Sequence, residues 1–173
     1  MSVCYGMTDF FDNPVLLFPV FQYNHYWFWQ ARQVPPLLEE RFVRGEMRKL
    51  PKYYTPPGAK KSWALYNLDN AMRHDFVLLC EGVTDVLRVG SPAVAMFGKK
   101  PSAAQRRVLQ DNWGSGQLIW LPDMGEPEAV EIAEIQTAMW NATGAVKHGA
   151  HICKLQGSDH GATQREVTWQ RIN

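Results

Sequence analysis

Three acidic residues stand where an α/β protein does its chemistry. Glu81 directly follows the apolar run Phe76-Val77-Leu78-Leu79-Cys80, and Asp123 follows the run at 118–121 by one residue. Asp159 lies a few residues past a further stretch within 146–155. If these runs are parallel strands, ligands bind beyond their C-terminal ends. Carboxylates converging there from separate strands make a site for a hard cation, magnesium or manganese, which would meet substrate phosphate. The plainer alternative is that each acid sits near a helix N-terminus, where the macrodipole favours it by about 0.3–1 kcal/mol. Lys99 and Lys100, with no acid near them in sequence, suit phosphate on the same edge or a solvated surface equally. His148-x-x-His151 with Asp159-His160 offers a weaker, transition-metal alternative, because on a strand a spacing of three sends the two histidines to opposite faces.

The elements that must carry these residues fall into two textures, changing near residue 75. The second half alternates short apolar runs with helical segments, the pattern of a parallel sheet. Residues 76–80 form a run fit for burial on both faces; strands are also expected at 93–97, at 117–121 and within 146–155. A short helix is expected to about residue 89. Ser102-x-x-Gln105 is a capping box opening a helix at 103–112, and Pro127 suits the first position of a long helix to about residue 140. A last helix is expected at 163–171. The first half is aromatic and Pro-rich. Two β-prone runs, 15–21 and 26–32, flank Gln22-Tyr23-Asn24-His25, read as a hairpin connection. A short helix is expected within 37–47, and residues 51–58 read as loop, with Pro56-Pro57-Gly58 its turn.

The chain has 173 residues, 46% of them apolar and 20% charged, enough for one compact domain or two small ones sharing an interface. No run approaches the roughly 18 apolar residues of a membrane span, and the N-terminus lacks the pattern of a secretory signal. Three scattered cysteines argue against a disulfide framework, and the absence of a Cys-x-x-Cys pair argues against a zinc ribbon. A reducing cytosol follows as the expected compartment, with Cys80 and Cys153 buried as small apolar residues. The net charge of +1 hides a segregation: residues 30–62 hold eight bases against three acids, and residues 122–134 hold five acids and no base. A polyanion and a cation thus have separate places to bind.

At the end of its strand, Glu81-Gly82-Val83-Thr84-Asp85 resembles the first motif of the Toprim domain of bacterial and phage (DnaG-type) DNA primases. Toprim is the metal-binding fold those primases share with topoisomerases and some nucleases. The likeness continues at Ala93-Val94-Ala95-Met96-Phe97-Gly98, a strand-plus-Gly element, and at Gln105 in the next helix. Ile119-Trp120-Leu121-Pro122-Asp123 takes the place of the strand carrying the Asp-x-Asp motif. In the first half, Phe18-Pro19-Val20, Gln30-Ala31-Arg32, Lys52-Tyr53-Tyr54 and Leu65-Tyr66-Asn67 follow the order of the primase core's N-terminal subdomain. The likeness covers about residues 14–159. It departs at Asp123-Met124-Gly125-Glu126, where Gly125 holds the place of the second acid. Glu126 either stands in as a ligand or only caps the helix that Pro127 begins.

The resemblance implies an α+β or α/β chain: a basic, aromatic, antiparallel β-rich subdomain over 1–75, then a Toprim-like, mostly parallel four-stranded sheet flanked by helices over 76–173. It implies a metal-dependent nucleotidyltransferase, the catalytic core of a DNA primase making short RNA primers on single-stranded DNA from ribonucleoside triphosphates. The setting would be the cytoplasm of a bacterium or a phage-infected cell. A helicase and a zinc-binding module would be separate partners, with no zinc in this chain. Asp123, with Glu126 or Asp159, would hold magnesium or manganese, and Glu81 would be a ligand or the general base. Asp85 is a secondary candidate or a solvated or capping acid. Arg32 and Lys52 match the nucleic-acid and nucleotide ridge, while Lys99 and Lys100 would help hold phosphate. Tyr53, Tyr54 and Trp27 would stack on bases or pack as core, and core is the expectation for Trp27 in a small β unit. Two other functions stay open: metal-dependent DNA cleavage on the same fold, and a non-catalytic module binding nucleic acid or a replication partner, for which Gly125 is the main support.

Overall fold

The computed structural model describes residues 4–7, 14–34, 40–43 and 46–153. Asp159, His160 and the helix expected at 163–171 lie outside the described residues. The strands of the first half are β1 (Cys4–Met7), β2 (Pro14–Gln22), β3 (His25–Gln33), β4 (Glu40–Val43), β5 (Glu46–Lys49) and β6 (Tyr53–Tyr54). They form an antiparallel sheet in the order β1-β2-β3-β6 and a separate two-stranded ribbon, β4-β5. Tyr23 and Asn24 turn β2 into β3 with φ of 54° and 60°, the left-handed pair of a tight hairpin. Their backbone N–H groups donate to the two carboxylate oxygens of Asp69, at 2.6 and 3.0 Å. Those charge-assisted bonds offset the strain of a tyrosine at positive φ.

The remaining elements are a single turn of 3₁₀-helix (Lys61–Trp63) and helix α1 (Leu68–Ala71) before the change near residue 75, and after it helices α2 (Val83–Val89), α3 (Ala103–Trp113) and α4 (Pro127–Thr143) with strands β7 (Phe76–Cys80), β8 (Ala93–Ala95), β9 (Gln117–Trp120) and β10 (Ala150–Ile152). The four strands are all parallel, in the order β10-β9-β7-β8. Tyr66 bridges Ala95 in the antiparallel sense and so covers the β8 edge, the part of a sheet most open to unwanted pairing. No described helix is long and apolar enough to cross a membrane.

Strand β7 shows why its run is apolar throughout. Val77 and Leu79 enter one cluster with Leu109, Trp113, Ala133 and Trp140, the face covered by α3 and α4. Leu78 and Cys80 enter another with Val83 and Val86 of α2 and with Phe18, Val20 and Phe28 of the antiparallel sheet. The antiparallel sheet therefore packs on the α2 side of the parallel one.

Gln105 locks this arrangement from the capping box. Ser102 Oγ accepts from Gln105 N at 3.1 Å, and Gln105 Oε1 accepts from Ser102 N at 2.8 Å. The buried Nε2 donates to the carbonyls of Ala64 (2.7 Å), Met96 (2.9 Å) and Lys61 (3.1 Å). One side chain thus ties α3, the end of β8 and the 61–64 turn together. Gln105→Leu is expected to cost about 2–4 kcal/mol, because buried carbonyls lose their donor while the volume is nearly kept. Chemical denaturation measures it, and a loss below about 1 kcal/mol would mean that water reaches those carbonyls.

Four expectations need correction. Of the helix expected at 37–47, the described residues 40–43 and 46–47 are strand instead: they belong to β4 and β5, paired Phe42 to Met47 and Val43 to Glu46. Gly45 and β-prone Phe42-Val43 disfavour the helix, and a segment that short cannot offset nucleation. Within the expected loop at 51–58, Tyr53–Tyr54 adds a two-residue strand against Ala31 and Arg32. Trp27 is exposed, because β3 carries an extra residue there: Val20 opposes Phe28 and Phe21 opposes Tyr26. Cys153 is only half-buried, whereas Cys80 is fully buried as expected, and burial pushes its thiol up to about 12.

Candidate active site

The strand order makes one crevice special. From β7 the chain crosses to β8 on one side, returns past β7 to β9 on the other, and continues outward to β10. The connections part between β7 and β9, and at such a switch point the C-terminal edge of an open parallel sheet binds ligands. Glu81 leaves β7 and Asp123 follows β9 at this edge, so the two acids singled out in the sequence flank the same crevice.

Glu81 is half-buried. Desolvation raises its carboxyl above the usual glutamate range; the charge of Glu126 raises it further, Lys99 opposes, and Asp123 and Asp85 add smaller upward contributions. Asp85 turns back on its own helix, its Oδ2 accepting from Gly82 N at 3.2 Å. That is the capping role, satisfying a free N–H of the first turn of α2. Asp123 is exposed, and its Oδ1 accepts from Gly125 N at 3.0 Å, fixing the turn into α4.

Glu126 occupies the N-cap position of α4 without a side-chain capping bond, and Pro127 follows at the first helical position. Its carboxylate goes to Lys99, at 2.8 Å, and Lys99 also reaches Glu128 at 2.7 Å. Hydrogen bonds to Glu126 and then Glu128 hold the Lys99 ammonium above its usual range, and Lys99 holds Glu128 below its own. Both partners are solvent-exposed, so the pairing orders the edge more than it stabilises the fold. Lys100 is exposed beside it. Phe97, ahead of this loop, has φ 59° and packs against Phe28 with ring centroids 5.6 Å apart.

The antiparallel unit delivers a cation to the same neighbourhood. The Arg32 guanidinium lies 5.2 Å from the ring centroid of Tyr53, a cation–π contact. Tyr53 OH is 3.0 Å from Thr84 Oγ1 in the first turn of α2, three residues past Glu81. Lys52 is exposed; its carbonyl accepts from Gln33 N at 3.2 Å. Tyr54 faces the other way, with its ring 5.8 Å from that of Trp29. His151 has a ring nitrogen 3.2 Å from the His148 carbonyl, a local bond within its own strand entry.

Among the described residues no group of three or more His, Cys, Asp or Glu side chains is arranged to hold a metal. The donors at the edge are carboxylate oxygens, which suit magnesium or manganese rather than a soft metal. Magnesium is usually held by one or two carboxylates with water and substrate oxygens completing the shell, so Glu81 and Asp123 meet that need in number and kind.

The Lys99 pairings and the Tyr53–Thr84 contact escaped the sequence reading. The first had a signal: once the strand order is known, the basic loop after β8 and the acidic start of α4 share one edge with opposite charge. The second had none, since it joins residues 31 apart through a two-residue strand.

No protein-family model matches the chain, and no curated protein matches it in sequence. Solved structures do. The E. coli primase catalytic core is similar with a TM-score of 0.56 and 19% identity, over 75% of this chain and 40% of that one. A DNA primase domain from Pseudomonas aeruginosa gives 0.55 and 17%, over 79% and 44%. A DnaG primase catalytic domain bound to single-stranded DNA gives 0.56 and 19%, over 75% and 40%. The chain spans about two fifths of the length of these structures and shares their fold.

Proposed function

From a chain with the fold of a DnaG primase catalytic core, we propose a nucleotidyltransferase that joins ribonucleotides on a single-stranded DNA template. The observation that carries this reading is the placement of Glu81 and Asp123 at the switch point, with Arg32 and Tyr53 drawn against the Glu81 turn. Primer extension needs a 3′-hydroxyl to lose its proton while its oxygen attacks an α-phosphate in line. Glu81, with its carboxyl raised by burial and neighbouring acids, is suited to take that proton. Asp123 keeps one carboxylate oxygen outside its bond from the Gly125 N–H and would offer it to a cation. Glu81 and Asp123 would hold magnesium or manganese, with Asp159 and Glu126 as further candidates; when bound, the metal supplies neutralisation of charge on the transferring phosphate. Arg32 and Lys52 would neutralise triphosphate or template phosphate, and Lys99 and Lys100 would meet phosphate at the sheet edge. A separate helicase and zinc-binding module are proposed as partners on the same reading.

Incorporation of labelled ribonucleotides on single-stranded DNA tests the proposal directly. Oligoribonucleotides are the expected product. Nicked DNA without them would turn the reading to a nuclease. Gly125 and the engagement of Glu126 by Lys99 favour a second reading, a module that binds without catalysis. Failure to bind manganese, together with absence of product, would select it.

A further inference from the structure

Away from the acidic edge, Tyr26, Trp27 and Phe28 border a cleft of about 310 Å³ with Gly58, Ala59 and Lys60. On a regular strand neighbouring side chains leave opposite faces, so residues next to one another seldom serve one surface. The β-bulge at Trp27 lifts that restriction, and bulges commonly re-aim side chains beside binding sites. Tyr26 is 57% exposed and Trp27 39%, a contiguous aromatic area of the kind that marks an interaction site. The surface continues: the Phe21 ring meets Tyr26 edge-on at 5.7 Å, and Lys60 Nζ lies 5.7 Å from the ring centroid of the exposed Trp63. No acid is among the described residues that line the cleft.

Exposed aromatic faces beside a cation, Lys60, fit unpaired bases on a phosphate backbone. A duplex keeps its base faces stacked inside and cannot use such a surface, and an acidic peptide would find cations but leave the rings idle. We propose that the cleft takes an unpaired base of single-stranded DNA, stacked on Trp27, with Lys60 against a neighbouring phosphate. Phe28 borders the cleft on one side and packs on Phe97 on the other. A strand held at Trp27 is therefore one aromatic layer from the loop carrying Lys99. The inference rests on single-stranded DNA as the partner, but on no step of the chemistry.

Fluorescence anisotropy of a labelled oligothymidylate, without nucleotides or metal, tests it, beside an abasic oligonucleotide of equal length. Trp27→Ala should weaken binding to the oligothymidylate about 5- to 150-fold and leave abasic binding unchanged, while Trp27→Phe keeps most of the affinity. Lys60→Ala should weaken both and lower the salt slope by about 0.7. Unchanged oligothymidylate binding by Trp27→Ala overturns the cleft while leaving the template reading intact. Equal losses on both oligonucleotides overturn stacking. A wild-type protein that binds neither overturns the cleft and the template together.

Discussion

Glu81→Gln is expected to cut ribonucleotide incorporation by about 10²–10⁴-fold, the usual worth of a positioned general base, and at the same time to raise the melting temperature at neutral pH. The two effects share a cause. Burial and the charges of Glu126, Asp123 and Asp85 disfavour the Glu81 carboxylate in the folded state. The folded protein then holds that proton to a higher pH than the unfolded chain does. In that window the native state binds more protons, so stability falls as pH rises through it. Glutamine carries no charge and escapes the penalty. The gain in melting temperature should therefore appear above the folded pKa of Glu81 and vanish below the ordinary glutamate range. Full activity in Glu81→Gln would remove the base role, and a lowered melting temperature would show that Glu81 is held by favourable contacts instead.

Gly125→Asp is expected to tighten manganese binding on the order of tenfold, since affinity in oxygen-ligand sites follows ligand charge. Among the described residues there is room for it: a Cβ at Gly125 would meet only Asp123 Oδ1, at 3.4 Å, and the backbone there is not in the left-handed region. The new carboxylate would stand beside Asp123, so in chelator the variant should melt below wild type from like-charge repulsion. Added manganese should reverse that order. Titration followed by electron paramagnetic resonance, with melting curves in chelator and in manganese, measures both. Unchanged manganese affinity would place the cation elsewhere.

What the sequence disclosed was mostly local. Phe76–Cys80 read as a doubly buried strand because every residue is apolar, and both sheet faces turn out to be covered. Ser102 with Gln105, and Pro127, marked helix starts through capping chemistry that needs only neighbouring residues. The positions of Glu81 and Asp123 followed from strand ends. Register and long-range pairing were hidden. Nothing at Tyr26-Trp27-Phe28 announces an extra residue in β3, because a bulge is a relation between two strands. The Lys99–Glu126 pair depends on β8 and β9 lying on either side of β7, which strand propensity does not encode. At 40–43 and 46–49 cross-strand pairing decides the structure, and local composition does not announce it.

The cluster that joins Phe18, Val20 and Phe28 to Leu78, Cys80, Val83 and Val86 limits how the protein can be dissected. Cutting the chain near residue 75 would divide that core and leave both fragments with an apolar face toward water. Neither fragment is then a sound vehicle for expression by itself. The intact chain should lose both sheets in one cooperative transition, with far-ultraviolet circular dichroism and tryptophan fluorescence tracing the same curve.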